Sequence, residues 1–180
     1  MYTWNRVNYV GVVGSILALI SIVLPWWTIS ASTWWAEGTM TMYLYHTEIV
    51  GISAFFGDWA NDPFSNLMAL AALVLLVIGS ILAIVGSVTK GKSLLIVGGV
   101  LGLTAPLGFA ITLQWLWFWT NGIGVYSSGI LNGVSYSSHL ESGFWLSVIG
   151  AIIMLAAGFA WKRFTSSNKL RIRPPVPPPP

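Results

Sequence analysis

The chain has 180 residues, of which 56% are hydrophobic and only 7% charged, with a formal net charge of +3 and no cysteine. So few charged side chains cannot clothe a water-soluble globule, and lipid must solvate much of the surface. The missing cysteine excludes a disulfide-stapled outer loop and any thiolate metal site.

A helix rises about 1.5 Å per residue and the hydrocarbon core is about 30 Å thick, so around 20 apolar residues cross it. The first apolar run, Tyr9 to Trp27, has that length and closes on Pro25-Trp26-Trp27, which reads as an interfacial stop. Arg6 ahead of it and the small residues of Ile29-Ser30-Ala31-Ser32 behind it also suit a cleavable signal peptide, the competing reading. Residues 28–62 then form a first outer loop too long for a simple turn. From Thr39 its residues alternate, with Met40, Met42 and Leu44 against Thr41, Tyr43 and Tyr45, and Val50, Ile52, Ala54 and Phe56 alternate again. That period of two predicts two or more strands.

Two further runs, Phe64 to Val88 and Leu94 to Trp117, flank a short basic link holding Lys90 and Lys92. Lipid supplies no hydrophobic drive between spans, so helices associate where small residues let backbones approach. Such stripes recur as Gly79, Ala83 and Ser87 in the second run, Gly98, Gly102, Pro106 and Ala110 in the third, and Gly143, Ser147 and Ala151 in the fourth. They are the predicted helix-packing residues, with Pro106 expected to kink its helix. The second outer loop, residues 120–142, carries Asn132-Gly133 between apolar neighbours, the signature of a tight hairpin. The fourth run is Phe144 to Trp161, and residues 164–180 form a basic, proline-rich tail expected to be extended and without a core. Within the tail, Arg171-x-x-Pro174-x-x-Pro177 matches an SH3-ligand pattern, and its basic part suits anionic lipid.

Charge supplies an orientation. All eight basic residues, Arg6, Lys90, Lys92, Lys162, Arg163, Lys169, Arg171 and Arg173, fall on one side of the four runs. The five acids, Glu37, Glu48, Asp58, Asp62 and Glu141, fall on the other. Basic flanks stay cytoplasmic, which predicts a multi-pass cell-membrane protein with both termini inside. Tryptophan favours the headgroup level, so Trp26, Trp27, Trp115, Trp117 and Trp145 are expected as outer interface anchors and Trp161 as an inner one. The second reading of these indoles is a carbohydrate or aromatic-ligand platform.

No Asp, Glu, Lys, Arg or His falls within the hydrocarbon depth of any run. Proton relays, ion paths and intramembrane catalysis use such groups, so no enzyme and no catalytic residue is expected. Met40 and Met42 with His46 could offer soft ligands to Cu(I), but methionines on a strand's apolar face ordinarily fill the core. His46 with Glu48, and His139 with Glu141, are pairs too small to define a metal site. No cofactor motif, zinc signature or nucleic-acid module is present, so neither a cofactor, a metal nor a nucleic-acid partner is expected.

The layout of residues 5 to 163 resembles the claudin and PMP22-like tetraspan superfamily. Aromatic residues after the first run (Trp26, Trp27, Trp34, Trp35) and Gly57-Asp58-Trp59 late in the first loop carry the resemblance. The paired cysteines and Gly-Leu-Trp of claudins proper are absent, so their loop disulfide is not implied. The four runs and the alternating outer loops predict an all-α membrane protein, a four-transmembrane-helix bundle over residues 1–163 with a small β-rich outer loop region, and the resemblance implies the same architecture. The resemblance further implies adhesion, scaffolding or an auxiliary subunit, and the small-residue stripes, structured outer loops and charge-free bundle point to association with other membrane proteins or with itself. The alternatives are an accessory subunit of a larger transport or respiratory complex and, third, a small pore or transporter.

Overall fold

A computed structural model describes residues 7–51, 56, 63–89, 91–117, 123–131 and 133–161. The chain begins with helix α1 (Tyr9–Ile20), continued by one 3-10 turn, Ser21–Val23. Three strands follow: β1 (Trp27–Ser32), β2 (Glu37–Met42) and β3 (Thr47–Gly51). Helices α2 (Pro63–Thr89) and α3 (Lys92–Thr112) come next, α3 running on into a π turn over Leu113–Trp117. Strands β4 (Ser127–Leu131) and β5 (Val134–Leu140) lead directly into α4 (Ser142–Phe159).

Three segments are long and apolar enough to cross a bilayer: Asn66–Thr89, Lys92–Trp115 and Ser142–Phe159. The protein is a membrane protein on that ground. The first expected span, Tyr9 to Trp27, is corrected. Twelve α-helical residues and a three-residue 3-10 turn reach only about 24 Å, short of the hydrocarbon thickness. Its terminator is Pro25, whose ring disfavours helix in the residue before it, and Leu24 is extended at φ −98°, ψ 155°. Trp27 then opens β1 instead of closing a helix.

The fold class is corrected with it. The expected all-α bundle with a small β-rich loop region is an α+β molecule, in which both outer loops join one five-stranded antiparallel sheet ordered β3-β2-β1-β5-β4. Central β1 pairs along its whole length with β2 and with β5, Ile29 standing opposite both Met40 and Ser138. Leu131 pairs with Val134 at the β4–β5 hairpin, so the link is two residues long, and Gly133 takes a left-handed φ of 80° there.

The helices touch in the ring α1–α2–α3–α4, through glycine. A Cβ built on Gly79 would lie 2.7 Å from the Gly98 carbonyl oxygen and 2.8 Å from the Gly102 amide nitrogen, which brings α2 against α3. One built on Gly102 would meet Met154 Cε at 2.8 Å and Ala151 Cβ at 3.5 Å, on α4. Gly143 sits where α1 leaves the helical layer, its amide donating to the Pro25 carbonyl at 2.8 Å. Ala83, Ser87, Pro106, Ser147 and Ala151 are buried and Ala110 partly so; the Ser87 and Ser147 hydroxyls donate within their own helices, to Ala83 and Phe144. The α1–α4 crossing rests on a pair outside the predicted stripes, Gly14 facing Gly150.

At the end away from the sheet, buried Asn8 ties three helices. Its Oδ1 caps α1 by accepting from Gly11 N, its Nδ2 donates to the Ala157 carbonyl, and its backbone N–H donates to Ser87, each at 3.1 Å. Lys92 lies at this same end, in the first turn of α3. Arg6, Lys90, Asp58, Asp62, Trp59, Trp119, Asn132 and the tail from Lys162 lie outside the described residues.

Candidate functional site

The sheet is seated on the helices by two adjacent tryptophans. Trp26 and Trp27 are fully buried. The expectation that they anchor at the headgroup level is therefore corrected. Trp26 packs edge-on against Phe109 of α3, centroids 5.3 Å apart, and Phe144 of α4, at 6.1 Å. Its indole N–H donates to the Ser21 carbonyl at 2.8 Å, so burial leaves no polar atom orphaned. Its backbone binds both sides of the sheet, the N–H donating to Met42 at 2.8 Å and the carbonyl accepting from Glu141 at 3.0 Å. The Trp27 indole donates to the Val125 carbonyl at 3.3 Å. Trp115 and Trp145 remain exposed, at 64% and 48%, as lipid-facing indoles would be. Trp161 packs partly buried on the core, and the Trp117 side chain lies outside the described residues.

Strand alternation then sorts the sheet into two faces. Inward go Trp27, Ile29, Met40, Met42 and Leu140, all buried over the helix ends. Outward, register sets hydroxyls side by side in rows, the longest across four strands. One row runs Thr41, Thr28, His139, with Glu48 at its edge; the next runs Thr39, Ser30, Ser137, Ser128. Thr28 and Thr41 are joined by a 3.4 Å hydrogen bond between hydroxyls. A third row, Glu37, Ser32 and Ser135, lies beside the β1–β2 turn.

That turn is clamped by Thr33. Its N–H and hydroxyl both donate to the Ala36 carbonyl, at 2.8 and 3.0 Å, and its Oγ1 accepts from the Ala36 and Trp35 amides. The clamp presents Trp34 and Trp35, which are 95% and 66% exposed. Beside this turn, over the hydroxyl rows, opens a hollow of about 540 Å³, lined by Ser30, Ser32, Glu37, Thr39, Ser135 and Ser137, with Val50 and Tyr136.

The far edge of the sheet is held by hydroxyls turned inward. Ser138 Oγ donates to the Gly124 carbonyl at 2.8 Å and lies 3.1 Å from Ser127 Oγ, while Gln114 Oε1 accepts from Val125 N at 2.9 Å. Gln114 thus links the end of α3 to the start of β4.

The sequence pairs separate differently. His139 Nε2 lies 2.9 Å from Glu141 Oε1. His46 is not on the strand face with Met40 and Met42; it sits in the β2–β3 turn, stacked 4.4 Å from Tyr43, while both methionines are buried under the sheet. Among the described residues no group of three His, Asp or Glu side chains gathers that could hold a metal ion.

No protein-family model matches the chain, and no curated protein matches it.

Proposed function

We propose that the protein acts without catalysis, as a cell-membrane protein that associates with neighbours through its sheet layer, in adhesion or scaffolding. The observation that carries this reading is the sheet's outward face: rowed with hydroxyls at its centre, edged by exposed Val50 and Ile130, and fixed to the helices by the buried Trp26–Trp27 pair. A face so rigidly attached is preorganised for contact, and its ordering cost is met during folding. The sheet end carries Glu37, Glu48 and Glu141, and the opposite end carries Lys92. With basic flanks retained in the cytoplasm, this charge division supports a sheet exposed outside and an α2–α3 link inside. A relation to the claudin and PMP22-like superfamily is proposed on the outer layer alone, since a long first loop and a short second one contribute to one sheet. Crosslinking in native membranes tests the reading: a reproducible partner or homo-oligomer is expected, and monomer alone under every mild extraction would sink it.

A second reading, an accessory subunit of a larger transport or respiratory complex, is favoured by one feature. Between α2 and α3 an apolar groove of about 280 Å³ runs past Met68, Ala72 and Gly108, and a side chain added at Gly108 would meet nothing within 4 Å. A neighbouring subunit's helix could approach closely along such a surface. Stoichiometric co-purification with catalytic subunits is the result this reading expects. A small pore is the third reading and expects solute flux in reconstituted vesicles.

A further inference from the structure

We propose that the outward face of the sheet is a binding site for a neutral oligosaccharide, which lies on the hydroxyl rows and reaches the adjoining Trp34–Trp35 turn. The inference rests on the reading of this face as the recognition surface and gives it a ligand class.

Size and shape are the first ground. The hollow of about 540 Å³ falls within the range of small-ligand sites, and its walls are strand backbone held in register on both sides. Chemistry is the second. Each of Ser30, Ser32, Thr39, Ser135 and Ser137 brings one donor and two acceptor lone pairs on a hydroxyl free to rotate. Neighbouring strands set these groups about 4.8 Å apart along each row. A ligand whose own surface is made of hydroxyls needs donor and acceptor capacity at every contact, and this floor offers both. Glu37 adds a carboxylate at the rim, able to accept charge-assisted hydrogen bonds from sugar hydroxyls.

Charge narrows the class. Glu37 and Glu48 stand on this face, and among the described residues no Lys or Arg lies at the sheet end. Phosphorylated, sulfated or carboxylated ligands would meet only repulsion there. The turn that adjoins the Ser32–Glu37 row carries exposed indoles, and a chain of several sugars lying on the hollow reaches them with the C–H face of a pyranose ring. Indoles offer that face an apolar surface with small entropy cost, and the Thr33 clamp holds this turn in shape before any ligand arrives. A protein partner fits less well. Protein hot spots need a desolvated pocket for an apolar anchor, and in this hollow the residues with apolar bulk are Val50, at the β3 edge, and Tyr136, set against five Ser and Thr hydroxyls.

The test uses the full chain in nanodiscs, titrated with cellohexaose, with α-1,6-mannohexaose and with a heparin hexasaccharide, followed by intrinsic tryptophan fluorescence and calorimetry. Saturable binding of at least one neutral hexasaccharide, with none of the heparin fragment, is expected. Trp35→Ala and the pair Ser30→Val with Ser137→Val should each weaken it by about tenfold or more. Trp145→Ala, on lipid-facing α4, should leave it unchanged. Valine suits exposed strand positions, and an unaltered melting profile will show that the paired variant folds. Absence of saturable binding by both neutral sugars up to about 10 mM, or binding indifferent to these variants, overturns the proposal. A crosslinked protein partner retained by the same variants, with no sugar bound, would sink the oligosaccharide site while leaving the association reading intact.

Discussion

Replacing Gly150 by alanine probes the α1–α4 crossing. The new Cβ would lie 2.7 Å from the Gly14 carbonyl oxygen and 2.8 Å from the Ala18 amide nitrogen, both backbone atoms that no rotamer change can move. Restoring ordinary contact requires the helices to part by roughly 0.7 Å, a gap that forfeits a quarter to a half of each neighbouring dispersion contact. Overpacking of this kind costs about 1–3 kcal/mol, and lipid provides no hydrophobic compensation between helices. Alanine's better helix propensity returns up to about 1 kcal/mol, leaving a net loss of about 0–2 kcal/mol against the natural chain and of about 1–3 kcal/mol against a glycine-to-alanine control that gains the same propensity. Gly14→Ala meets the same crossing from the other side, with the Gly150 carbonyl 2.8 Å away. The double variant should therefore cost less than the two single losses together, because the first substitution has already parted the helices. Gly108→Ala is the control, since its Cβ would meet nothing within 4 Å. The assay is reversible unfolding in mixed micelles, followed by tryptophan fluorescence. Gly150→Ala as stable as Gly108→Ala would refute the close crossing.

Trp26→Ala should cost about 3–5 kcal/mol in the same assay, because it empties a fully buried site between Phe109 and Phe144. A loss below about 1 kcal/mol would indicate a surface anchor instead. Asn8→Ala removes the cap on α1 and leaves the Ala157 carbonyl without its donor, and a loss of about 2 kcal/mol is expected with faster amide exchange at Gly11. For orientation, the natural absence of cysteine permits single introduced thiols. Ser128→Cys should react with an impermeant maleimide on intact cells and Ser93→Cys only after lysis; the reverse pattern would invert the proposed topology.

Much of the candidate site was legible because period-2 patterns report which residues share a face whatever the partner strand. The Thr39–Thr41 hydroxyls, the Met40–Met42 inner pair and the Asn132-Gly133 hairpin could all be read in this way. Strand β1 could not. Its Trp27-Thr28-Ile29 continues an apolar run, and its two partners, β2 and β5, come from loops separated by α2 and α3. The only local warning was Pro25, which ends the helix at Leu24. Trp34 and Trp35 gained significance only when pairing placed their turn beside the hydroxyl rows.

By itself, the sequence determined that much of this chain is too apolar and too poor in charge for water, where three helices long enough to cross a membrane lie, and which links between them carry the charges. These follow from composition and run length, which act locally. Tertiary structure alone decided that Trp26 and Trp27 are core residues, that Gly14 meets Gly150, and that one sheet unites both loops. An indole settles at a headgroup or in a core according to what surrounds it, and only the assembled helix ends supplied Phe109, Phe144 and a carbonyl for its N–H.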